Sequence, residues 1–386
     1  MALKIGRGAH APGFLVMDVI AAANARQAAL TPSDPRVIRM EVGQPGTGAP
    51  AGAIAAVTSA LHGGDPLGYT EALGRPSLRA RLATHYQDWY NVTVPGGRIA
   101  VTMGASAAFP LAFLAAFDPG DRVALAAPFY PPYVNILTAL GLQPVIVETG
   151  PETRYQPTVE LLDRLEPIPD GLIVASPCNP AGTMLMPDEL AAIAAWCDAR
   201  GVWLISDEIY HGLHYDRPIS TAAAFSPHAI VINSFSKYFS MTGWRVGWMV
   251  LPDDLVRPVE CLAQNLFISA PHICQVAAEA AFDCTAELEA NVARYRRARD
   301  HLLAALPHAG FPDFAAADGA FYIYADIGAR TNDSVAFCAR MLTEAGVAAS
   351  PGVDFDRTRG ARTMRFSYCG PEADMIEAAV RLAGFR

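Results

Sequence analysis

Between about residues 98 and 250 the sequence passes repeatedly from a short, almost wholly apolar run to a helix-patterned one. "RIAVTM" precedes the alanine-rich 107–117, "RVALAAP" precedes 132–140, "PVIVET" precedes 158–165 and "LIVASP" precedes "PDELAAIAAWCDAR"; "VWLISDE" and "AIVINSF" follow. Strands that are apolar on both faces need cover on both faces, and helices alternating with them supply it. The pattern therefore predicts an α/β fold around a mostly parallel sheet. In the segment 187–200, Pro187 and acids open the helix, Arg200 closes it and Gly201 follows, which are start and stop signals in the right order. After about residue 255 the texture changes. One long helical stretch over roughly 272–306 leads to the strand-like "GAFYIYADI" and "TMRFSYC", which predicts a second, smaller α+β domain. The first 45 or so residues read as helical and are expected to pack on it. The expected division is 48–270 for the large domain, and 1–47 with 271–386 for the small one.

The 386 residues are enough for about two domains, and with 52% apolar residues and 17% charged ones a large core can be buried. A net charge of −9 argues against a nucleic-acid partner, which wants a basic surface. No apolar run reaches the ~18 residues that a membrane span needs. The N-terminus lacks a continuous apolar stretch or a small-residue cleavage site, so a cytoplasmic location is expected. The seven cysteines are scattered, with no C-x-x-C pair, as reduced thiols would be. His211 and His214 stand beside Asp207 and Glu208, but a zinc site wants a better-separated third ligand, and no metal is expected.

In open α/β sheets the ligand lies beyond the carboxyl ends of the strands. The first strand delivers "TMGAS" (Thr102 to Ser106), a glycine turn opening a helix, with Pro110 expected near its first turn. Free N–H groups at Gly104, Ala105 and Ser106 would suit a phosphate. The second delivers Tyr130 between stiffening prolines, either a platform for a flat ligand or an aromatic closing a core. "CNPAGT" delivers Asn179, either a ligand group or a plain Asn-Pro turn. "VWLISDEIY" delivers Asp207 and Glu208 straight after an apolar strand, with Tyr210 three positions beyond Asp207. A carboxylate there must be solvated, paired or hydrogen-bonded.

The most informative stretch is "SFSKYFSMTGWRVG" (Ser234 to Gly247). Lys237 is a nucleophile only when deprotonated, and Phe235, Tyr238, Phe239 and Met241 around it provide the enclosure that lowers a lysine pKa. Arg245 stays charged and forks onto phosphate or carboxylate, with Ser234 and Ser236 as nearby hydroxyl donors. A phosphate cradle, a ring platform, a carboxylate at a strand end and a lysine together describe a phosphorylated aromatic aldehyde. That ligand is pyridoxal 5'-phosphate (PLP), held as a Schiff base on Lys237.

The same stretch resembles the lysine signature of class I/II aminotransferases, the aspartate-aminotransferase-like PLP enzymes of fold type I. "NPAGT", "SDEIY" and "TMGAS" occur in that family's order, and "GYTEALGRPSLRARLATHY", "GAFYIYADI" and "MRFSY" are similar to its other segments. The resemblance implies that Lys237 forms the Schiff base and shuttles a proton, and that Asp207 pairs with the pyridine nitrogen. It implies that Asn179 and Tyr210 bond the ring's phenolic oxygen and that Tyr130 stacks on the ring. The phosphate would be held by Ala105, Ser106, Ser234, Ser236 and Arg245, and by Tyr69 of a second subunit, in a homodimer with sites at the interface. Arg365 would fork onto the substrate α-carboxylate, assisted by Asn179 and the Gly43 backbone. "GQPGTGAP" (Gly43 to Pro50) departs from the Gly-Glu-Pro-Asp-Phe of many relatives, so substrate preference does not carry over.

The expected reaction moves an amino group between an L-amino acid and a 2-oxo acid in a ping-pong cycle. Glutamate or aspartate would be the nitrogen donor on family grounds, while small apolar and aromatic donors stay open. A lyase that breaks a C–S bond or eliminates at Cβ on the same fold is the alternative. A ligand-sensing regulator would need a basic DNA-binding domain before the fold, which the first 45 or so residues do not resemble.

Overall fold

The apolar runs pair into one large sheet and two small ones. The computed structural model describes residues 3–385. In chain order the strands are β1 (Ile38–Arg39), β2 (Ile99–Thr102), β3 (Arg122–Ala127), β4 (Gln143–Glu148), β5 (Gly171–Ala175) and β6 (Trp203–Asp207). They continue with β7 (Ile230–Ser234), β8 (Gly247–Val250), β9 (Tyr322–Asp326), β10 (Val347–Ala348), β11 (Ser350–Pro351) and β12 (Thr363–Ser367). The α-helices are α1 (Leu15–Ala28), α2 (Ala51–His62), α3 (Pro76–Tyr90), α4 (Ala105–Ala116), α5 (Pro132–Ala139) and α6 (Val159–Leu162). After them come α7 (Pro187–Arg200), α8 (Asp253–Leu266), α9 (His272–Ala281), α10 (Thr285–Ala305), α11 (Ser334–Glu344) and α12 (Glu372–Ala383).

The seven-stranded sheet runs β2-β8-β7-β6-β5-β3-β4. β8 is antiparallel to both its neighbours, and every other pairing is parallel. Strand side chains alternate between faces, and both faces are covered. Ile173 of β5 joins Phe109, Phe113, Tyr133 and Val259 of α4, α5 and α8 on one side. Its neighbours Leu172 and Val174 join Leu82, Leu190 and Trp196 of α3 and α7 on the other. Each large apolar side chain enclosed this way contributes about 1.5–3 kcal/mol. The α/β fold with its mostly parallel sheet is as the sequence pattern implied.

β11, β12 and β9 form an antiparallel sheet in that order, and β1 pairs in parallel with β10. The N-terminal segment is thereby tied to the C-terminal part of the chain. It is less helical than its sequence suggested, since among the described residues only α1 and a 3₁₀ turn over Arg7–His10 form before β1.

Two further features differ from the sequence pattern. The stretch 272–306 is not one helix but α9 and α10, parted at Phe282–Cys284. The break lets α9 lie on α2 and α3 while α10 packs against α12, which one straight rod could not do. Pro110 lies inside α4, in its second turn rather than its first. There it removes the N–H that would have bonded the carbonyl four residues back, at Ser106. No helix among the described residues is long and apolar enough to cross a membrane.

Candidate active site

β2, β3, β5, β6 and β7 point their carboxyl ends the same way, so the residues that follow them converge. A cavity of about 350 Å³ opens there, lined by Ala105, Ser106, Tyr130, Asn179, Asp207, Tyr210, Ser236, Lys237, Arg245, Gly43 and Arg365 among others. A larger groove of about 640 Å³, beside Leu30, Val37 and Phe385, carries none of these groups.

At one end Gly104, with φ +71°, turns the chain into α4. A side chain at that position would collide with the Arg245 guanidinium, which lies against the turn. Arg245 donates to the Thr242 carbonyl at 3.0 Å and reaches the hydroxyls of Ser236 and Ser106 at 3.4 Å each. Ser234 stands behind, donating to Ser236 Oγ at 2.9 Å or to the Val246 carbonyl at 3.0 Å. Gly104 and Ser234 thus shape this end without lining the cavity. A helix start, two hydroxyls and a guanidinium fit a phosphate.

In the middle, Lys237 Nζ donates to the Gly43 carbonyl at 2.6 Å and lies 5.6 Å from the Tyr210 ring and 5.8 Å from that of Phe321. Enclosure lowers its ammonium to about 8, with Arg365 and Arg245 adding to the effect and Cys369 and Asp207 opposing it. Asp207 ends β6, fully enclosed; Tyr133 OH donates to its Oδ2, and the Ile209 N–H donates to its Oδ1 at 3.1 Å. Burial pushes this carboxyl up to about 6 against the pull of those bonds and of Lys237. A buried carboxylate with acceptor sites to spare fits a protonated ring nitrogen, which would supply the missing cationic partner. Tyr130 lines the cavity edge-on to Phe14, with centroids 5.9 Å apart at 86°. The Tyr210 and Tyr322 hydroxyls lie 2.8 Å apart.

At the other end Arg365, 2% exposed, sits between the rings of Tyr322 and Phe355 at 4.4 and 4.6 Å. Its Nη1 donates to Asn179 Oδ1 at 2.7 Å, and its Nη2 to the Glu41 carbonyl at 2.7 Å and to Ser350 Oγ at 3.1 Å. Its Nε has no partner, and among the described residues no carboxylate pairs with it. A buried cation without an anion is costly, and an incoming carboxylate would relieve it. Gly43 must be glycine, since a side chain there would strike the Tyr322 hydroxyl.

Tyr69 is apart from this group, 84% exposed and absent from the cavity wall. His211, adjacent in sequence to Tyr210, is occupied elsewhere by Tyr90 OH at 2.7 Å and the Ser176 carbonyl at 3.0 Å. Sequence reasoning missed Tyr133, Tyr322, Phe355, Phe14 and Val16. Tyr322 stood inside a quoted strand and Tyr133 three residues past Tyr130, but only folding shows what either touches.

The chain matches the family "Aminotransferase class I and II" over residues 35–382. It is 47% identical to the valine–pyruvate aminotransferase of Mycobacterium tuberculosis, covering 99% of this chain and 98% of that one. Among solved structures, an aminotransferase from M. tuberculosis superposes with a TM-score of 0.96 at 47% identity, covering 100% of this chain and 99% of that one. The aspartate aminotransferase of Thermus thermophilus, solved with maleate, gives 0.92 at 30% identity, covering 99% and 100%. The chain belongs to the class I and II aminotransferases and has their fold type I architecture. It is a PLP-dependent aminotransferase acting on amino acid and 2-oxo acid substrates, and the lyase alternative is not favoured.

Proposed function

We propose that this enzyme transfers the amino group of a small, apolar L-amino acid, valine or a close analogue, with pyruvate as a 2-oxo partner. The observation that carries this reading is the census of cations around the cavity. Its described lining holds the cations Lys237, Arg245 and Arg365, and Phe14, Val16, Phe109, Pro132 and Ile136 give it an apolar part beside the tyrosines and polar groups. With Arg245 on the phosphate and Arg365 on the α-carboxylate, this chain's described lining offers no third arginine or free lysine to a second carboxylate. The relative that shares 47% of the sequence is named for valine and pyruvate, which supports the same choice. Of the acidic, small apolar and aromatic donors that the sequence leaves open, this reading takes the small apolar one.

When bound, PLP supplies an aldehyde that condenses with amines and a ring that accepts the electrons released when the Cα–H bond breaks. Ala105 and Ser106 N–H groups, Ser236 and Arg245 hold the phosphate, with Ser234 steadying Ser236. Asp207 holds the proton on the ring nitrogen, and Tyr133 holds Asp207. Asn179 and Tyr210 bond the phenolic oxygen, while Tyr130 packs on the ring. The neutral Lys237 amine would move the proton between Cα of the substrate and C4′ of the cofactor, a task suited to a lysine brought near neutral pH. Arg365, Asn179 and Gly43 orient the carboxylate so that Cα faces Lys237.

The chain is further read as a 48–270 large domain with 1–47 and 271–386 forming the small one, supported by the β1–β10 pairing. It is read as a homodimer in which Tyr69 reaches the partner's phosphate site. The exposure of Tyr69 on a single chain supports this. Tyr69→Phe should weaken cofactor affinity about tenfold if it removes one charge-assisted hydrogen bond; unchanged affinity would count against the shared site. Seven unpaired thiols support a reducing, cytoplasmic compartment.

The deciding experiment mixes the cofactor-loaded protein with single amino acids and no 2-oxo acid, following the cofactor's absorbance. Stoichiometric conversion by valine, with its 2-oxo acid released, supports the reading. Conversion by glutamate or aspartate alone overturns it, and continuous release of ammonia or a thiol would mean a lyase.

A further inference from the structure

Helix α1 begins without a cap of its own, since Phe14 at its N-cap makes no side-chain bond to the helix. Its first free N–H groups are taken instead by a residue from the other end of the chain. Asp354 Oδ1 accepts from Leu15 N and Oδ2 from Val16 N, each at 3.2 Å. A carboxylate there satisfies two orphan donors and complements the positive end of the helix. Val16, one of the two donors, and Phe14, just before them, are the residues this segment places on the cavity wall.

The origin of Asp354 gives the contact its meaning. It closes the 3₁₀ turn Gly352–Asp354 directly after β11. On β11, Ser350 stands opposite Arg365 and touches its guanidinium. On the far side of Asp354, Phe355 stacks on the same guanidinium, and its carbonyl accepts the Phe129 N–H at 3.0 Å, one residue before Tyr130. One short segment thus braces the proposed α-carboxylate site, the ring platform and the apolar wall. Before Phe14, the Pro12 carbonyl accepts a 3.4 Å bond from Asn135.

We propose that Asp354 is a positioning residue for substrate selection. By pinning the start of α1 it sets Phe14 and Val16 at the distance from Arg365 that a branched apolar side chain fills. The proposal rests on the apolar-donor reading above. Asp354 acts through Phe14 and Val16 and touches no reacting atom.

The test uses the holoenzyme and the single-turnover half-reaction with L-alanine, L-2-aminobutyrate and L-valine. Asp354→Ala should lower the valine-to-alanine specificity ratio about tenfold, the worth of two methyl groups losing their wall, while the cofactor's absorbance and the alanine rate stay near wild type. Phe14→Ala should give a similar drop, and the double variant no more than the larger single one, because the two act in series. Hydrogen exchange of a peptide spanning 12–20 should accelerate in Asp354→Ala. Asp354→Asn, which keeps one acceptor, should fall between and serves if the alanine variant does not fold. Equal losses for all three donors, an unchanged ratio, or drops that multiply in the double variant would each overturn the proposal. Should wild-type enzyme refuse valine but accept other donors, the apolar-donor reading fails separately, and the ratio of largest to smallest accepted donor carries the same test.

Discussion

Tyr133 donates its hydroxyl to Asp207 at the bottom of the cavity, where both groups are enclosed. The phenol helps keep the carboxyl ionised although burial has raised it to about 6. Removing that donor in Tyr133→Phe raises the carboxyl further and weakens its hold on the ring-nitrogen proton. Amino transfer should slow about tenfold, the worth of one bond to a charged group, with a shift in the bound cofactor's absorbance. Asp207→Asn should cost more, about 10²–10³. Equal rates for Tyr133→Phe and wild type would show that the phenol is only packing.

Lys237 is shifted by the same cause, burial, in the opposite direction. Burial lowers its ammonium to about 8 from 10.5. Between those values the unfolded chain binds a proton that the native one lacks, so the stability of the cofactor-free protein rises with pH across that window. PLP capture by the cofactor-free protein should therefore increase with a midpoint near pH 8, as stopped-flow absorbance would record. Lys237→Ala should abolish turnover while leaving some cofactor bound non-covalently, which dialysis and absorbance distinguish.

Arg365 is buried with no carboxylate partner among the described residues. Arg365→Lys cannot reproduce the fork that meets a carboxylate or the stacking between Tyr322 and Phe355. The specificity constant should drop by about 10² or more for every 2-amino acid, as for a desolvated charge pair losing one partner. An amine of the same shape without the carboxylate should be affected far less. Parallel losses for the amine would remove Arg365 from carboxylate recognition.

Glu208 lies beside Asp207 in sequence but on the other side of the chemistry. Its Oε1 accepts from Ser206 Oγ, Thr221 Oγ1 and Ala222 N at 3.0, 3.1 and 2.8 Å, while its Oε2 lacks a hydrogen bond. Burial pushes it up to about 8 from 4.5, so in that interval the native state holds a proton the unfolded chain has released. Its contribution to stability is complete below 4.5 and is lost as pH rises through 8. Glu208→Gln should flatten the thermal midpoint between pH 6 and 9 by about 3 °C or more, measured on the cofactor-free protein. An unchanged slope would mean that the carboxyl titrates in its ordinary range.

By itself the sequence determined the large sheet and most of the chemistry along it. Continuous apolar runs alternating with helix patterns admit few architectures, and residues just after a strand must gather at one sheet edge. Asp207 and Lys237 could therefore be singled out from local pattern, while Asn179 needed the family resemblance to be told from a plain Asn-Pro turn. Tertiary structure decided what depends on segments far apart in the chain. Local periodicity carried straight across Phe282–Cys284, yet α9 and α10 part there because they pack on different partners. Resemblance assigns Arg365 to the α-carboxylate, but only folding shows that it lies between the rings of Tyr322 and Phe355 and bonds Asn179 and the Glu41 carbonyl. Phe14 lies 340 positions before Asp354, and no periodicity spans that interval. Which apolar side chains meet the substrate follows from the closure of chain ends onto the sheet edge, a matter of three-dimensional packing rather than of any local run.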